Sequence, residues 1–581
     1  MNSQTMSLSD AVNIAAKCLS KGEYKQVEEI SNQILQAVPD NTDAKHLLGI
    51  VALQRGEYDE AISKIEECLK QEKSNASMYN NLGTAYEKTG DFKNAVKNFK
   101  TALELENNNV SVLSNLGSAY INLGEFQKAL DTTEKAIEIA PNNISALINK
   151  GNALVKLNQF DEALAVLNKA QCIDPNNAHV MYNVGNAYFE KENYDDAAGV
   201  FKKLVELSPH EPKYHLMHAE ALKHNGNIDV AKKIYKNIIE EYPDYLDAMV
   251  NLGVIYLNEG ENERAREYFE IVLDKQPKSY IAAIARYHYG VILRDEGKFD
   301  ESQAIFAETH KYEFALNHLE LSINSFIHGN TQATKEFLQK LNKSKRFINT
   351  PLHAKIISSY SLLLSKLVDR QCSDERAESD LPSLYCVGES HCLPPANQRV
   401  VFEGSDYCVN SRIIMGCKAW SLGNLECNTY KSQFEYIFQD LPEGSLIVLM
   451  PGEIDCRFDE GILQYHRKSS LDLEVIISKT AISYVDYVVR VAEKYKHKIM
   501  LYGVPAQVRE AHLLEREQMQ EVAYVIEKFN HVLREEASKR GLNFLDVFLL
   551  TNSDNGFSNG EWHLDGVHMQ TSVLGMLLQE Q

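Results

Sequence analysis

The 581-residue sequence predicts an all-α superhelical solenoid followed by a three-layer α/β domain with a mostly parallel sheet. Three observations predict it. Glycines and prolines recur at steps of 34 through the first half of the chain. A polar stretch without periodicity follows near residue 370, and beyond it short apolar runs alternate with amphipathic segments. A chain of this length also exceeds what one hydrophobic core serves, so at least two domains are expected.

The repeat comes first in the chain and carries the most information. Glycines stand at 49, 83, 117, 151, 185 and 253, with Ala219 at the one gap. Prolines stand at 39, 141, 175, 209, 243 and 277, with Lys73 and Asn107 at the omitted places. The unit from 76 to 109 contains Leu82, Gly83, Tyr86, Ala95, Phe99 and Ala102; the next has Leu116, Gly117, Tyr120, Ala129, Ala136 and Pro141. Small residues such as Gly83 and Ala95 let two antiparallel helices approach, while Tyr86 and Phe99 fill the space around them. Proline ends the second helix because it lacks an N–H and clashes with the preceding turn. A single pair cannot bury its apolar face, so neighbours must stack.

Position by position, this pattern resembles the tetratricopeptide-repeat (TPR) family. The resemblance implies about nine 34-residue repeats over residues 8–312, starting near 8, 42, 76, 110, 144, 178, 212 and 246. A ninth, slightly out of register, starts near 283 with Gly290 and Phe306. Residues 313–370 stay helical in pattern without the signature, as in Phe314–Leu321 and Pro351–Leu364, and read as divergent helices capping the solenoid. Residues 371–382 read as a linker.

Two places before the repeat glycine stand Asn81, Asn115, Asn149, Asn183 and Asn251, with Met217 as the exception. An amide offers both a donor and an acceptor, so such a row suits the backbone of an extended peptide. The row resembles the TPR region of O-GlcNAc transferase, whose inner-surface asparagines hold protein substrates. That resemblance implies a protein or peptide partner in the concave groove. The plainer reading is a polar residue tolerated by the repeat consensus.

From residue 383 to 581 the apolar runs Leu384–Val387, Leu446–Met450, Ile499–Val504 and Asn543–Phe548 alternate with helical segments such as Thr480–Lys496 and Met519–Arg540. Strand–helix alternation implies a mostly parallel sheet covered on both faces. The site of such a sheet lies beyond the carboxyl ends of its strands. There the sequence places Gly388-Glu389-Ser390-His391 after the first run, Glu453, Asp455 and Arg457 after the second, and Asp565 and His568 before the final helix. Ser390 as nucleophile, His568 as general base and Asp565 as the group that fixes the imidazole tautomer make a chemically sensible set. His391 and His563 read as lining or surface residues, Trp420 and Trp562 as packing.

These blocks resemble the SGNH (GDSL-type) hydrolase family. Gly388-Glu389-Ser390 matches its Gly-Asp-Ser block with glutamate for aspartate, and Asp565 with His568 matches its Asp-x-x-His block. The resemblance implies acyl-ester hydrolysis or acyl transfer, O-acyl groups of carbohydrates included. It also implies an oxyanion hole from the N–H groups of Ser390 and Gly416. Glu453, Asp455 and Arg457 are expected to contact oxyanion or substrate, or to form an ion pair. The third block departs, with Ile454 where the family has asparagine; losing one oxyanion donor costs about 2.7–4 kcal/mol in the transition state. The alternative expectation is a TPR adaptor or scaffold whose C-terminal domain binds a ligand without turning it over. A nucleotide-sugar transferase fits poorly, since about 200 residues hold no two-lobed glycosyltransferase and no Gly-rich phosphate loop is present.

The formal charge of −21 argues against a nucleic-acid or anionic-membrane surface. No run approaches the roughly 18 apolar residues of a membrane span. The first ten residues lack the basic and apolar regions of a signal peptide, so a cytoplasmic location is expected. The ten cysteines contain no CxxC pair and read as reduced thiols rather than zinc ligands. No metal or organic cofactor is expected.

Overall fold

The computed structural model describes residues 7–296, 298–308, 315–343, 351–371, 380–423, 428–450, 454–458, 461–469, 471–508, 515–553, 556–565 and 567–580. Most of the expected linker, with Gly452 and Glu453, lies outside these residues. The chain divides into two compact units, Met1–Tyr242 and Pro243–Gln581.

The first unit is a run of antiparallel helix hairpins, from Leu8–Ser20 with Tyr24–Ala37 to Pro212–His224 with Ile228–Glu241. First helices begin at Leu8, Thr42, Ala76, Val110, Ile144, Ala178 and Pro212, keeping the 34-residue step. The reason lies in one contact repeated. A Cβ built on Gly83 would sit 2.6 Å from Phe99, and one on Gly185 2.5 Å from Phe201. Gly49, Gly83, Gly117, Gly151 and Gly185 thus each lie directly against the side chain sixteen residues later. A second periodic device caps the helices. Asn41, Asn75, Asn109, Asn143 and Asn177 each accept a backbone N–H of the helix they precede.

The second unit opens with hairpins of the same kind, Leu246–Asn258 with Asn262–Lys275 and Tyr280–Asp295 with Phe299–Ala307. The latter starts three residues before the expected position and still seats Gly290 against Phe306, at 2.5 Å from a built Cβ. Helices Ala315–Ile327, Thr331–Lys343 and Pro351–Gln371 follow.

The sheet contains β1 (Ser383–Gly388), β2 (Arg399–Phe402), β3 (Ser405–Ile413), β4 (Leu446–Met450), β5 (Lys498–Tyr502) and β6 (Asn543–Leu545). Their order is β2-β3-β1-β4-β5-β6, and every pairing is parallel except β2 with β3. The sheet is therefore mixed. Its antiparallel β2–β3 hairpin was not expected from the apolar runs. It turns through Glu403 and Gly404, both at positive φ (48° and 73°), as a two-residue hairpin turn requires. The last strand is shorter than its apolar run because Asp546 caps a helix over Val547–Thr551.

Alternate residues of β1 face opposite ways. Tyr385 and Val387 join Phe438, Tyr484, Val488, Val525 and Phe529 in one core, formed with the long helices Leu473–Lys494 and Arg516–Arg540. Leu384 and Cys386 join a second core with Val448, Met500, Val573 and Leu577. That second core also holds Leu319, Ile323, Phe326, Leu363, Leu364 and Leu367. The helices expected only to cap a solenoid therefore build the third layer over the sheet. All thirteen residues of Ala315–Ile327 are buried, polar ones included, and Glu320 forms a buried ion pair with Arg294. The Asn397 amide reaches the Phe326 carbonyl at 3.1 Å from the sheet side. Among the described residues no helix is long and apolar enough to cross a membrane.

Candidate active site

The carboxyl ends of β1, β3 and β4 meet at one edge. Gly388, the last residue of β1, pairs with Met450 of β4 and Ile413 of β3. The chain then turns at Glu389 into a single 3₁₀ turn, Ser390–Cys392, which brings Ser390 to the strand end. The loop before the terminal helix Val573–Gln579 supplies the other two groups. Asp565 Oδ1 accepts the N–H groups of Val567 at 2.8 Å and His568 at 2.7 Å, a turn that brings its second oxygen to the imidazole. Asp565 Oδ2 lies 2.9 Å from His568 Nδ1, and His568 Nε2 lies 2.9 Å from Ser390 Oγ.

This chain of contacts fixes the tautomer. A carboxylate only accepts, so Nδ1 carries the proton and Nε2 is left to accept from the serine hydroxyl. Burial alone would raise the Asp565 carboxyl; hydrogen bonds from the His568 ring and from the His568 and Val567 N–H groups overcome this and hold it well below the usual carboxylate range. The aspartate therefore stays charged beside the imidazole, which favours the imidazolium once a proton arrives. Ser390 and His568 are both buried.

Glu389 is the unexpected member. Its Oε2 accepts the Ser390 N–H at 2.5 Å and is also in contact with Ser390 Oγ. Its Oε1 accepts from the Tyr360 hydroxyl at 2.8 Å. The Ser390 N–H, expected as an oxyanion donor, is thus engaged by a carboxylate. Tyr360 lies on the Pro351–Gln371 helix and is buried; burial, then the Glu389 charge, pushes its phenol far above the ordinary value, so it remains a donor.

The other expected site residues sit as follows. Gly416 occupies the turn after β3 at positive φ (74°). That turn is tied to the end of β1 by the Ile414 N–H, which donates to the Gly388 carbonyl at 2.7 Å. Asp455, expected at oxyanion or substrate, is fully buried and turned towards backbone. Its oxygens accept the N–H groups of Ala419 at 2.6 Å and Trp420 at 3.0 Å, capping the short helix Ala419–Gly423. Arg457 follows it on a partly exposed loop. Glu453 lies outside the described residues.

Two further histidines line the site. The His391 ring lies 5.1 Å from that of His568, centroid to centroid. His563 Nδ1 lies 3.1 Å from Ser558 Oγ. Burial, with the neighbouring His391, pushes His563 down to about 4 from 6.5. A depressed imidazole is neutral when folded and takes up a proton only on unfolding within that interval. Stability contributed by neutral His563 is therefore complete above about pH 6.5 and is lost as pH falls towards 4. Denaturant unfolding at pH 7 and pH 4.5 reads this as a loss of about 2 kcal/mol, which His563→Gln should flatten.

The asparagine row makes contacts of its own. The Asn81 amide nitrogen lies 3.0 Å from His46 Nε2. Asn115 donates to Asn80 Oδ1 at 3.0 Å, and Asn149 to the Ser114 carbonyl at 2.9 Å. These three partners lie 35 residues back, in the preceding repeat. Asn183 and Asn251 donate instead to carbonyls of their own helices, at 2.7 Å from His179 and 3.2 Å from Asp247. Each amide therefore already spends a donor inside the protein, and three of them stitch neighbouring hairpins together.

Family models described as tetratricopeptide repeats match residues 46–77, 74–142, 124–171, 154–221 and 222–287. The chain carries TPR repeats. Similar solved structures include yeast Tom70, at 16% identity over 64% of this chain and 91% of that one, with a TM-score of 0.43. A TPR protein of Parabacteroides merdae is 20% identical over 42% of this chain and 98% of that one, with a TM-score of 0.36. MamA of Desulfovibrio magneticus RS-1 is 27% identical over 29% and 97%, with a TM-score of 0.27. No curated protein matches the chain. TPR proteins typically bind protein or peptide partners.

Sequence reasoning missed the role of Glu389 and missed Tyr360 entirely. The first stood in view as a departure from Gly-Asp-Ser. The second lies 29 residues upstream on a helix assigned to the TPR cap, and no sequence signal connects the two.

Proposed function

We propose that this protein is a TPR-guided serine hydrolase of the SGNH type, acting on acyl esters such as O-acyl groups of carbohydrates, or transferring the acyl group to a second acceptor. The observation that carries it is the Ser390–His568–Asp565 chain, with both ring nitrogens of His568 at 2.9 Å from their partners. On this reading His568 takes the Ser390 proton as Oγ attacks the ester carbonyl, and Asp565 stabilises the imidazolium. On the same reading the N–H of Gly416, in the turn after β3, makes one oxyanion contact. The imidazolium returns its proton to the leaving alkoxide, and water or an acceptor hydroxyl then releases the acyl group from Ser390. The repeats recruit a protein or glycoprotein partner.

A second reading has its own support. Ile454 stands where the family has asparagine, and the Ser390 N–H is engaged by Glu389. Both fit an adaptor whose C-terminal half binds a ligand without turnover. Labelling with a fluorophosphonate separates the two. The wild type takes up the probe on Ser390, and Ser390→Ala and His568→Ala do not. Wild-type protein that stays folded and unlabelled, together with an intact ligand-binding response in Ser390→Ala, would leave only the adaptor.

A further inference from the structure

We propose that Glu389, held by Tyr360, is a latch on the nucleophile, and that release of this carboxylate switches Ser390 from a resting to a reactive state. The proposal rests on the reading of Ser390 as nucleophile. Three contacts carry it. Glu389 Oε2 takes the Ser390 N–H at 2.5 Å and also meets Ser390 Oγ. Glu389 Oε1 is fixed by the buried Tyr360 hydroxyl at 2.8 Å.

Two chemical consequences follow. The serine has one hydroxyl proton and two acceptors for it, Glu389 Oε2 and His568 Nε2. While the proton points to Glu389, the imidazole cannot take it as Oγ attacks. The second consequence concerns charge. A tetrahedral intermediate places an oxyanion near the backbone N–H of the nucleophile. Here that N–H already serves an anion, so an oxyanion would lose the donor and meet like-charge repulsion. Turnover therefore requires the Glu389 side chain to rotate away from Ser390.

Tyr360 opposes that rotation. It belongs to the Pro351–Gln371 helix, whose Leu363, Leu364 and Leu367 share one core with Ala315–Ile327 and the sheet. A shift of this helix would loosen the phenol–carboxylate bond without touching Ser390, His568 or Asp565. Tyr360 is thus a positioning residue acting through Glu389. The helical layer, rather than the substrate pocket alone, sets the state of the serine.

The experiment compares fluorophosphonate labelling rates of full-length wild type, Glu389→Gln and Tyr360→Phe, together with the Ser390 amide resonance in ¹⁵N-serine protein, assigned by its loss in Ser390→Ala. Glu389→Gln removes the charge at constant shape, and Tyr360→Phe frees the carboxylate. Both should label at least tenfold faster than wild type, and in both the Ser390 amide proton should move upfield. A residue needed only for packing would slow labelling when altered. Labelling at or below the wild-type rate in both variants overturns the proposal. If neither wild type nor any variant labels, the nucleophile reading falls and the latch falls with it; if wild type labels but the Ser390 amide stays unmoved in both variants, the latch alone is overturned.

Discussion

Asp565→Asn should lower turnover of an activated acyl ester by about 10⁴-fold while leaving the fold in place. The reason is which atoms the substitution keeps. Asp565 Oδ1 holds the loop through the Val567 and His568 N–H groups, and an asparagine carbonyl can still accept both. The other position changes from an acceptor to an NH₂ donor facing His568 Nδ1. Nδ1 must then accept, the ring proton moves to Nε2, and Nε2 presents a hydrogen to Ser390 Oγ instead of a lone pair. The imidazole remains in position in the wrong tautomer. Steady-state kinetics on p-nitrophenyl acetate, paired with a thermal melt, check both halves. A tenfold loss or less would mean that the aspartate acts only as a loop anchor and that catalysis, if present, has another base.

Gly388→Ala should destabilise the second unit by about 3 kcal/mol, at the upper end of the cost of overpacking. A Cβ at this position would lie 2.3 Å from the Met450 carbonyl oxygen and 2.8 Å from its carbon. Both are backbone atoms of the paired strand β4, so no side chain can swing aside. Relief comes only by parting β1 from β4 at their carboxyl ends, where Glu389 and Ser390 begin. Denaturant unfolding of the variant reads the loss directly. An unfolding free energy within about 0.5 kcal/mol of wild type would show that the strand ends yield more easily than a central parallel pair should.

Legibility in the sequence followed the range of the contact concerned. The repeats were readable because a single local spacing, sixteen residues from glycine to its packing partner, recurs every 34. Strands β1, β4 and β5 were readable because central parallel strands, buried on both faces, become continuous apolar runs. The β2–β3 hairpin was not. Its Ser405-Asp406-Tyr407-Cys408-Val409-Asn410-Ser411-Arg412-Ile413 run mixes polar and apolar residues, as suits a strand near the sheet edge. Helices 315–371 could be seen as helices, but not what they cover. Asn317, His318 and Glu320 obscure the apolar stripe of a segment that is buried all round. In the candidate site, Ser390, Asp565 and His568 announced themselves by standing at strand ends and in the terminal loop. The caps made by Asp455, the stitches made by Asn81, Asn115 and Asn149, and the Tyr360–Glu389 bond join elements whose proximity only the folded chain creates.

The core shared by Ala315–Ile327, Pro351–Gln371, the sheet and Val573–Gln579 also orders events during synthesis. A hairpin repeat can close as soon as its own 34 residues and a neighbour have left the ribosome. Helices Ala315–Ile327 and Pro351–Gln371 have no such option. Leu319, Phe326 and Leu364 emerge with their partners Leu384, Val448 and Met500 still to be translated, and Val573 and Leu577 come last of all. Over an interval of some 250 residues, at about 5–20 residues per second, this apolar surface waits uncovered. The hairpin repeats can be born folded; the sheet and the helices that cover it must be finished before they can fold, and until then they depend on whatever keeps them from sticking to their neighbours.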